Sequence, residues 1–264
     1  NIYLINDLVI TALDRFICFM TKFFFISIIA ALISTSSVMA SGIIISPLIL
    51  YEQASSPLVI DGVSSGYKFG IIGFNGKYQQ TEKFSTEFEL GYAYVPSETI
   101  TFENVIFKGA ITGLYLSTSG QYNLKKLEKS HLYLEADVSH RHLQANDLSG
   151  GRNNKPLFGT SSTTINSYDT LLGLNFRPSS QGLFSIASGL SFWTFSARGT
   201  ASNRSQTINA WKNIKTTGID PLLKVSFKKI LNNSEINADF HFKSLFSKFN
   251  SSVISVTLKY EYLF

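Results

Sequence analysis

The chain has 264 residues, of which 44% are apolar, 16% charged and 14% aromatic, with one Cys, six Pro and a formal net charge of +5. That balance excludes intrinsic disorder, which needs low hydrophobicity and high charge density, and the charge is too mild to argue a nucleic-acid partner. Soluble domains carry about 25% charged residues, so the shortfall points toward a lipid environment.

Met20 and Lys22 precede an apolar run from Phe23 to Ile33, then a Ser/Thr cluster and Val38-Met39-Ala40. One cation, about ten apolar residues and a small-residue cleavage site are the layout of a secretory signal peptide. Residues 20–40 are therefore expected to be that signal, and residues 1–19 upstream translation without a structural role. The competing reading, a membrane helix reaching back to Phe16, would put Lys22 inside hydrocarbon at high cost. The only cysteine, Cys18, lies before the expected cleavage point, so residues 41–264 carry no disulfide and no thiolate chemistry.

Beyond residue 41 no apolar stretch approaches the about 18 residues that a spanning helix needs, and alternation takes over. Gly42 to Tyr51 is a candidate first strand weakened by Pro47, and Gly66 to Gln79 a second whose facing is ambiguous. Phe84 to Tyr94 then sets Phe84, Thr86, Phe88, Leu90, Tyr92 and Tyr94 against Ser85, Glu87, Glu89, Gly91 and Ala93. A strand near 106–123 follows. In the next, Leu132, Leu134, Ala136 and Val138 oppose Glu135, Asp137, Ser139 and Arg141. Tyr168, Thr170, Leu172, Leu174 and Phe176 oppose Asp169, Gly173, Asn175 and Arg177, with Leu171 as an exception. Phe184, Ile186, Leu190 and Phe192 face away from Ser185, Ala187, Gly189 and Ser191. Leu223, Val225 and Phe227 alternate with Lys224, Ser226 and Lys228, and Ile236, Ala238, Phe240 and Phe242 with Asn237, Asp239, His241 and Lys243. The last strand sets Ile254, Val256, Leu258, Tyr260, Tyr262 and Phe264 against Ser255, Thr257, Lys259 and Glu261.

Alternation also fits a soluble sandwich. Three features favour lipid: strands of about 11 to 14 residues, an aromatic-rich apolar face, and short connections (80–83, 124–130, 178–182, 229–233) alternating with long ones (96–104, 144–165, 197–215). The expected fold is an all-β, transmembrane, antiparallel up-and-down barrel. An edge strand in hydrocarbon would leave N–H and C=O groups unpaired, so the sheet must close. Eight strands are clear from residue 84 onward. Ten are preferred because accepting 66–79 requires 42–51 as its partner; the alternative is eight strands with residues 41–83 as a separate segment or plug.

The terminal Phe264, with Tyr262, Tyr260, Leu258 and Val256 at every second position before it, resembles the C-terminal insertion signal of Gram-negative outer-membrane β-barrel proteins. The resemblance implies residence in the outer membrane and recognition of the last strand by the barrel-assembly machinery, with lipid and lipopolysaccharide as surroundings. It names no subfamily.

The expected inward charges are Glu87, Glu89, Glu135, Asp137, Arg141, Arg177, Lys224, Asp239, His241, Lys243, Lys259 and Glu261. Both signs in so narrow a lumen should pair, closing the barrel with side chains. His140 and His142, on the face that continues Leu134 and Val138, and His241 beside Asp239 are the candidates for lipid-modifying catalysis, but no phosphate loop, zinc spacing or nucleophile elbow accompanies them. Neither a metal nor a cofactor is expected. Residues 144–165 form the longest candidate external loop and the expected site for an extracellular ligand. Trp193 and Trp211 are expected in an aromatic girdle. The sequence thus favours a structural or surface-interaction protein over a narrow passive pore or a lipid-modifying enzyme.

Overall fold

The computed structural model describes residues 43–55, 58–60, 63–65, 68–79, 81, 83–102, 105–127, 129–152, 155–179, 181–203, 207–231, 234–243 and 252–262. The proposed upstream and signal segments, 1–40, lie outside them, as do Leu263 and Phe264. Twelve strands occur in chain order: β1 (Ile43–Ala54), β2 (Leu58–Ile60), β3 (Val63–Ser65), β4 (Lys68–Gln79), β5 (Phe84–Phe102), β6 (Val105–Lys126), β7 (Ser130–Arg152), β8 (Lys155–Ser179), β9 (Gly182–Ser202), β10 (Thr207–Leu231), β11 (Ser234–Lys243) and β12 (Val253–Tyr262).

Ten of these are staves of a closed antiparallel barrel, each paired with its neighbour in the chain, while β2 and β3 form a small hairpin that pairs onto the far end of β5. The first and last staves close the ring, with Leu48 to Ala54 of β1 against Lys259 to Val253 of β12. Ten strands therefore form the wall, and residues 43–54 and 68–79 belong to it. Pro47 sits one residue outside the β1–β12 ladder, where a missing N–H costs that ladder nothing.

Large apolar side chains cover the outer wall: Phe74, Tyr92, Leu172, Leu190 and Ile219 are all more than half exposed. Charged groups point inward, with Glu52 1% and Lys259 6% exposed. An arrangement in which Leu and Phe are more accessible than Glu and Lys is stable only if the outer solvent is hydrocarbon.

Stave lengths are uneven. β1, β4, β11 and β12 have 10 to 12 residues, near the roughly 9–11 needed to cross a bilayer, whereas β5 to β10 run to 19–25. The segments expected as long irregular loops are largely strand instead. Residues 144–152 and 155–165 pair as one continuous hairpin with a register shift between Ala145 and Leu148. Of the stretches 96–104 and 197–215, residues 96–102, 197–202 and 207–215 likewise extend β5, β9 and β10, with bulges near Val95/Glu98 and Trp211/Ile214. Polar, glycine-containing composition marks these segments as lying beyond the apolar belt, but it does not forbid pairing.

The inverted solvent gives a direct test. Leu172→Arg, within the apolar part of β8, should cost about 2–4 kcal/mol, whereas Thr160→Arg, beyond the belt, should cost about 0–1 kcal/mol. Denaturant titration of the chain folded into lipid vesicles reads both; equal penalties would contradict the assignment of the belt.

Candidate functional site

The lumen is built in two tiers because the inward positions of each stave change character along its length. Toward the short-turn end they are ionic. Lys259 of β12 lies 2.7 Å from Glu87 and 2.8 Å from Glu89 of β5, with Asp239 of β11 at 3.9 Å. Lys224 of β10 bonds Glu135 of β7 at 2.7 Å, and Lys243 of β11 pairs with Asp169 of β8, which also accepts from Ser191 at 2.5 Å. Arg141 of β7 reaches Glu52 of β1 at 2.8 Å, donates to Ser139 at 2.9 Å, and stands 5.4 Å from the Tyr115 ring centre. Tyr115 in turn donates to Glu89 at 2.8 Å, and Ser117 to Asp137 at 2.7 Å.

The Lys259–Glu87/Glu89, Lys224–Glu135, Lys243–Asp169 and Arg141–Glu52 pairs join staves that are not neighbours, so each acts as a crossbeam through the lumen, while the other contacts tie adjacent staves or stay within one. Between them lies a cavity of about 50 Å³, lined by Glu87, Glu89, Glu135, Asp137, Arg141, Lys224, Asp239, His241, Lys243 and Lys259 among others. That volume suits a few waters bridging polar groups.

Toward the long-hairpin end the interior becomes mainly apolar, although Leu48 and Leu50 of β1 lie level with Lys259 and Thr257 and the Arg141–Glu52 pair reaches up among the apolar groups. Leu48, Leu50, Phe69, Ile71, Tyr115, Leu143, Ile165, Trp193, Phe195, Ile214 and Val253 form one buried cluster. Trp193 is fully buried at its centre. Its Nε1 donates to Asp220 at 2.6 Å, and its indole lies on Gly218, where any Cβ would occupy the ring's place. Tyr133 uses Gly173 in the same way lower in the lumen, packed with Leu171, Ala187 and Leu222. A third cluster, Ile100, Phe102, Val105, Phe107, Ala145, Leu148, Leu157 and Ala201, continues the seal into the extended parts of β5 to β9, giving that projecting sheet an apolar core of its own.

Ten of the twelve expected inward charges thus line one cavity. Glu261 is buried at the short-turn end of β12. Arg177 keeps the inward parity of β8 but is exposed near its end, outside the cavity. Trp193 is a correction, since it fills the lumen instead of joining a girdle; it shares parity with Ser185, Ala187, Gly189 and Ser191, the inward face of β9. The side chain of Trp211 lies outside the described residues.

Glu52 escaped the sequence reading because β1 is apolar on both faces: Leu48 and Leu50 point into the seal and Ile49 toward lipid, which hides the alternation. Asp169 shares the inward parity of β8, so its place in the lumen follows from the alternation.

The three histidines do not converge. His241 faces the lumen, whereas His140 and His142 lie on the outer wall, where His140 Nδ1 is 2.6 Å from Asn166 Oδ1 and His142 Nδ1 is 3.0 Å from Thr164 Oγ1. Among the described residues no three His, Cys, Asp or Glu side chains are grouped to hold a metal. Val256, Leu258 and Tyr260, expected to belong to the insertion signal, lie on the half-buried to exposed outer face of β12; the side chain of Tyr262 and all of Phe264 are outside the described residues.

No protein-family model and no curated relative matches the chain. Solved structures do. The translocator domain of the autotransporter NalP from Neisseria meningitidis has a TM-score of 0.53 at 9% identity, over 84% of this chain and 89% of that one. The outer-membrane protease OmpT from Escherichia coli gives 0.47 at 10% identity, over 88% and 99%. The transport unit of AIDA-I, also from Escherichia coli, gives 0.42 at 10% identity, over 88% and 94%. At such identities the likeness is one of fold. With its closed sheet and outward apolar belt, the chain has the fold of the Gram-negative outer-membrane β-barrels, which supports residence in that membrane; by the rule that such barrels keep their short turns in the periplasm, the long hairpins are the outer end.

Lys259 is the hub of the ionic tier, so Lys259→Met should leave Glu87 and Glu89 uncompensated and cost about 3–5 kcal/mol. The double replacement Glu87→Gln/Lys259→Met should recover part of that loss in the same refolding assay.

Proposed function

We propose that the protein works at the cell surface as a binding or adhesive platform, with the barrel as its closed membrane anchor. One observation carries this reading. Six adjacent staves continue beyond the belt, and five of them, β5 to β9, share a core that buries Ile100, Phe102, Val105, Phe107, Leu148 and Leu157 and that the barrel does not need in order to span the membrane. A rigid projecting sheet presents its side chains without the entropy cost of ordering a loop on binding. The stopped lumen supports the same reading, since an apolar seal over a cross-linked ionic tier is ill suited to passing solutes.

The partner would meet the outer surface and tip of the hairpins, including the stretch 144–165. Replacing residues 146–160 by Asn-Gly lets Ala145 and Ser161, already paired across the hairpin, meet through a two-residue turn. Cells displaying this shortened chain should lose adherence to one another and to polystyrene at least about fivefold, with the barrel still heat-modifiable on gels; fivefold corresponds to roughly 1 kcal/mol of contact energy. Unchanged adherence would overturn the proposal. In planar bilayers the full chain should be silent, and discrete conductance steps would favour a narrow pore in its place.

A further inference from the structure

The outer wall carries a second feature, just above the belt on β7 to β10. Val138, Tyr168, Phe192 and Ile219 form one cross-strand row of exposed apolar side chains, the last such row before the character changes. The row above it is His140, Asn166, Thr194 and Thr217; the next is His142, Thr164, Ser196 and Lys215; the third is Gln144, Ser162 and Arg198. Eleven consecutive outward positions are therefore polar, directly over four that are greasy.

The panel is pre-arranged. His140 bonds Asn166, whose Nδ2 donates to Thr194 Oγ1 at 2.9 Å. His142 bonds Thr164 on one side and stands 2.8 Å from Gln144 Nε2 on the other. Arg198 and Lys215 are exposed, sit diagonally across the β9–β10 pair, and among the described residues form no ion pair with a carboxylate. Asp147 is the one exposed acid among the described residues of these four staves, and it lies at the β7 bulge away from the two cations.

We propose that this panel docks the phosphorylated sugar headgroup of an outer-leaflet glycolipid, that is, lipopolysaccharide. Acyl chains would run down over Val138, Tyr168, Phe192 and Ile219. The phosphate falls between Arg198 and Lys215, where a guanidinium and an ammonium give charge-assisted bonds to its oxygens. Sugar hydroxyls meet the His140–Asn166–Thr194 line, whose imidazole, amide and hydroxyl groups both donate and accept. The occupant is a lipid and not a free anion because the cations sit at the height where a chain-bearing headgroup must lie and the row beneath them is apolar. This inference uses the membrane orientation of the barrel and is independent of the adhesive role, so either can fail alone.

The test is binding of purified, folded full chain in detergent to phosphate-bearing lipopolysaccharide, read as the rise in barrel melting temperature with added lipid. The double variant Arg198→Gln/Lys215→Gln should bind about tenfold more weakly, and the His140→Leu/Asn166→Leu variant should also lose affinity. Lys125→Gln/Lys126→Gln, at the opposite end of the barrel, should bind as wild type. Both charge substitutions are on exposed side chains, and heat-modifiable migration verifies that each variant is folded. Dephosphorylated lipopolysaccharide binding as tightly as the phosphorylated form, inorganic phosphate giving the same stabilisation, or the Arg198/Lys215 variant binding unchanged would each overturn the proposal.

Discussion

The constraint on which this molecule depends is that a strand in hydrocarbon has no water to take up its backbone N–H and C=O groups. Each must find a partner on the next strand, so the sheet must return to its beginning. Here the return is the β1–β12 seam, and its position fixes the rest. Once Leu48 lies opposite Lys259, alternation assigns every inward and outward position around the ring. A slip of one residue at that seam would turn Lys259 toward lipid and Leu258 toward the ionic tier.

Closure also sets the lumen problem. Ten staves leave a space narrow enough for side chains to fill, and the chain fills it in two chemically distinct ways. The lower tier ties distant staves through charges of opposite sign, with Lys259 alone serving three carboxylates. Such pairs add little net stability over an apolar filling, because desolvation offsets attraction, but they penalise any other register severely. The upper tier is packed like a soluble core, and glycine makes it possible: Gly218 gives the Trp193 indole a flat bed on the adjacent stave.

The sequence discloses the parts of this design that obey period two. The last strand, β7, β8 and the Glu87–Glu89 segment could be faced correctly because lipid and ionic lumen are chemical opposites, which makes their alternation sharp. Legibility fails where both sides of a stave are apolar. In β1 and β4 the inward residues, Leu48, Leu50, Phe69 and Ile71, belong to the seal, so the pattern blurs and Glu52 disappears into it. Trp193 was misplaced for a related reason: an indole is at home both at a headgroup interface and in a sealed lumen, and only its parity with Ser191 decides. The pairing of residues 144–165 was hidden because strands beyond the belt no longer need an apolar outer face. Distances such as Arg141 to Glu52 join staves far apart in the chain, and no local pattern encodes them.

The seam has a kinetic corollary as well. Ser55 donates its backbone N–H to Ser252 at 2.7 Å, a bond between residues 197 positions apart, and the ladder beside it joins segments equally remote. Contacts of such high order form last and slowly, because the entropy of a very large loop is lost before any pairing repays it. Until they form, β1 and β12 are both open edges bearing an oily flank. The polypeptide is then at its most prone to clump with its own kind, so the moment before the ring shuts is the most hazardous in the life of this topology.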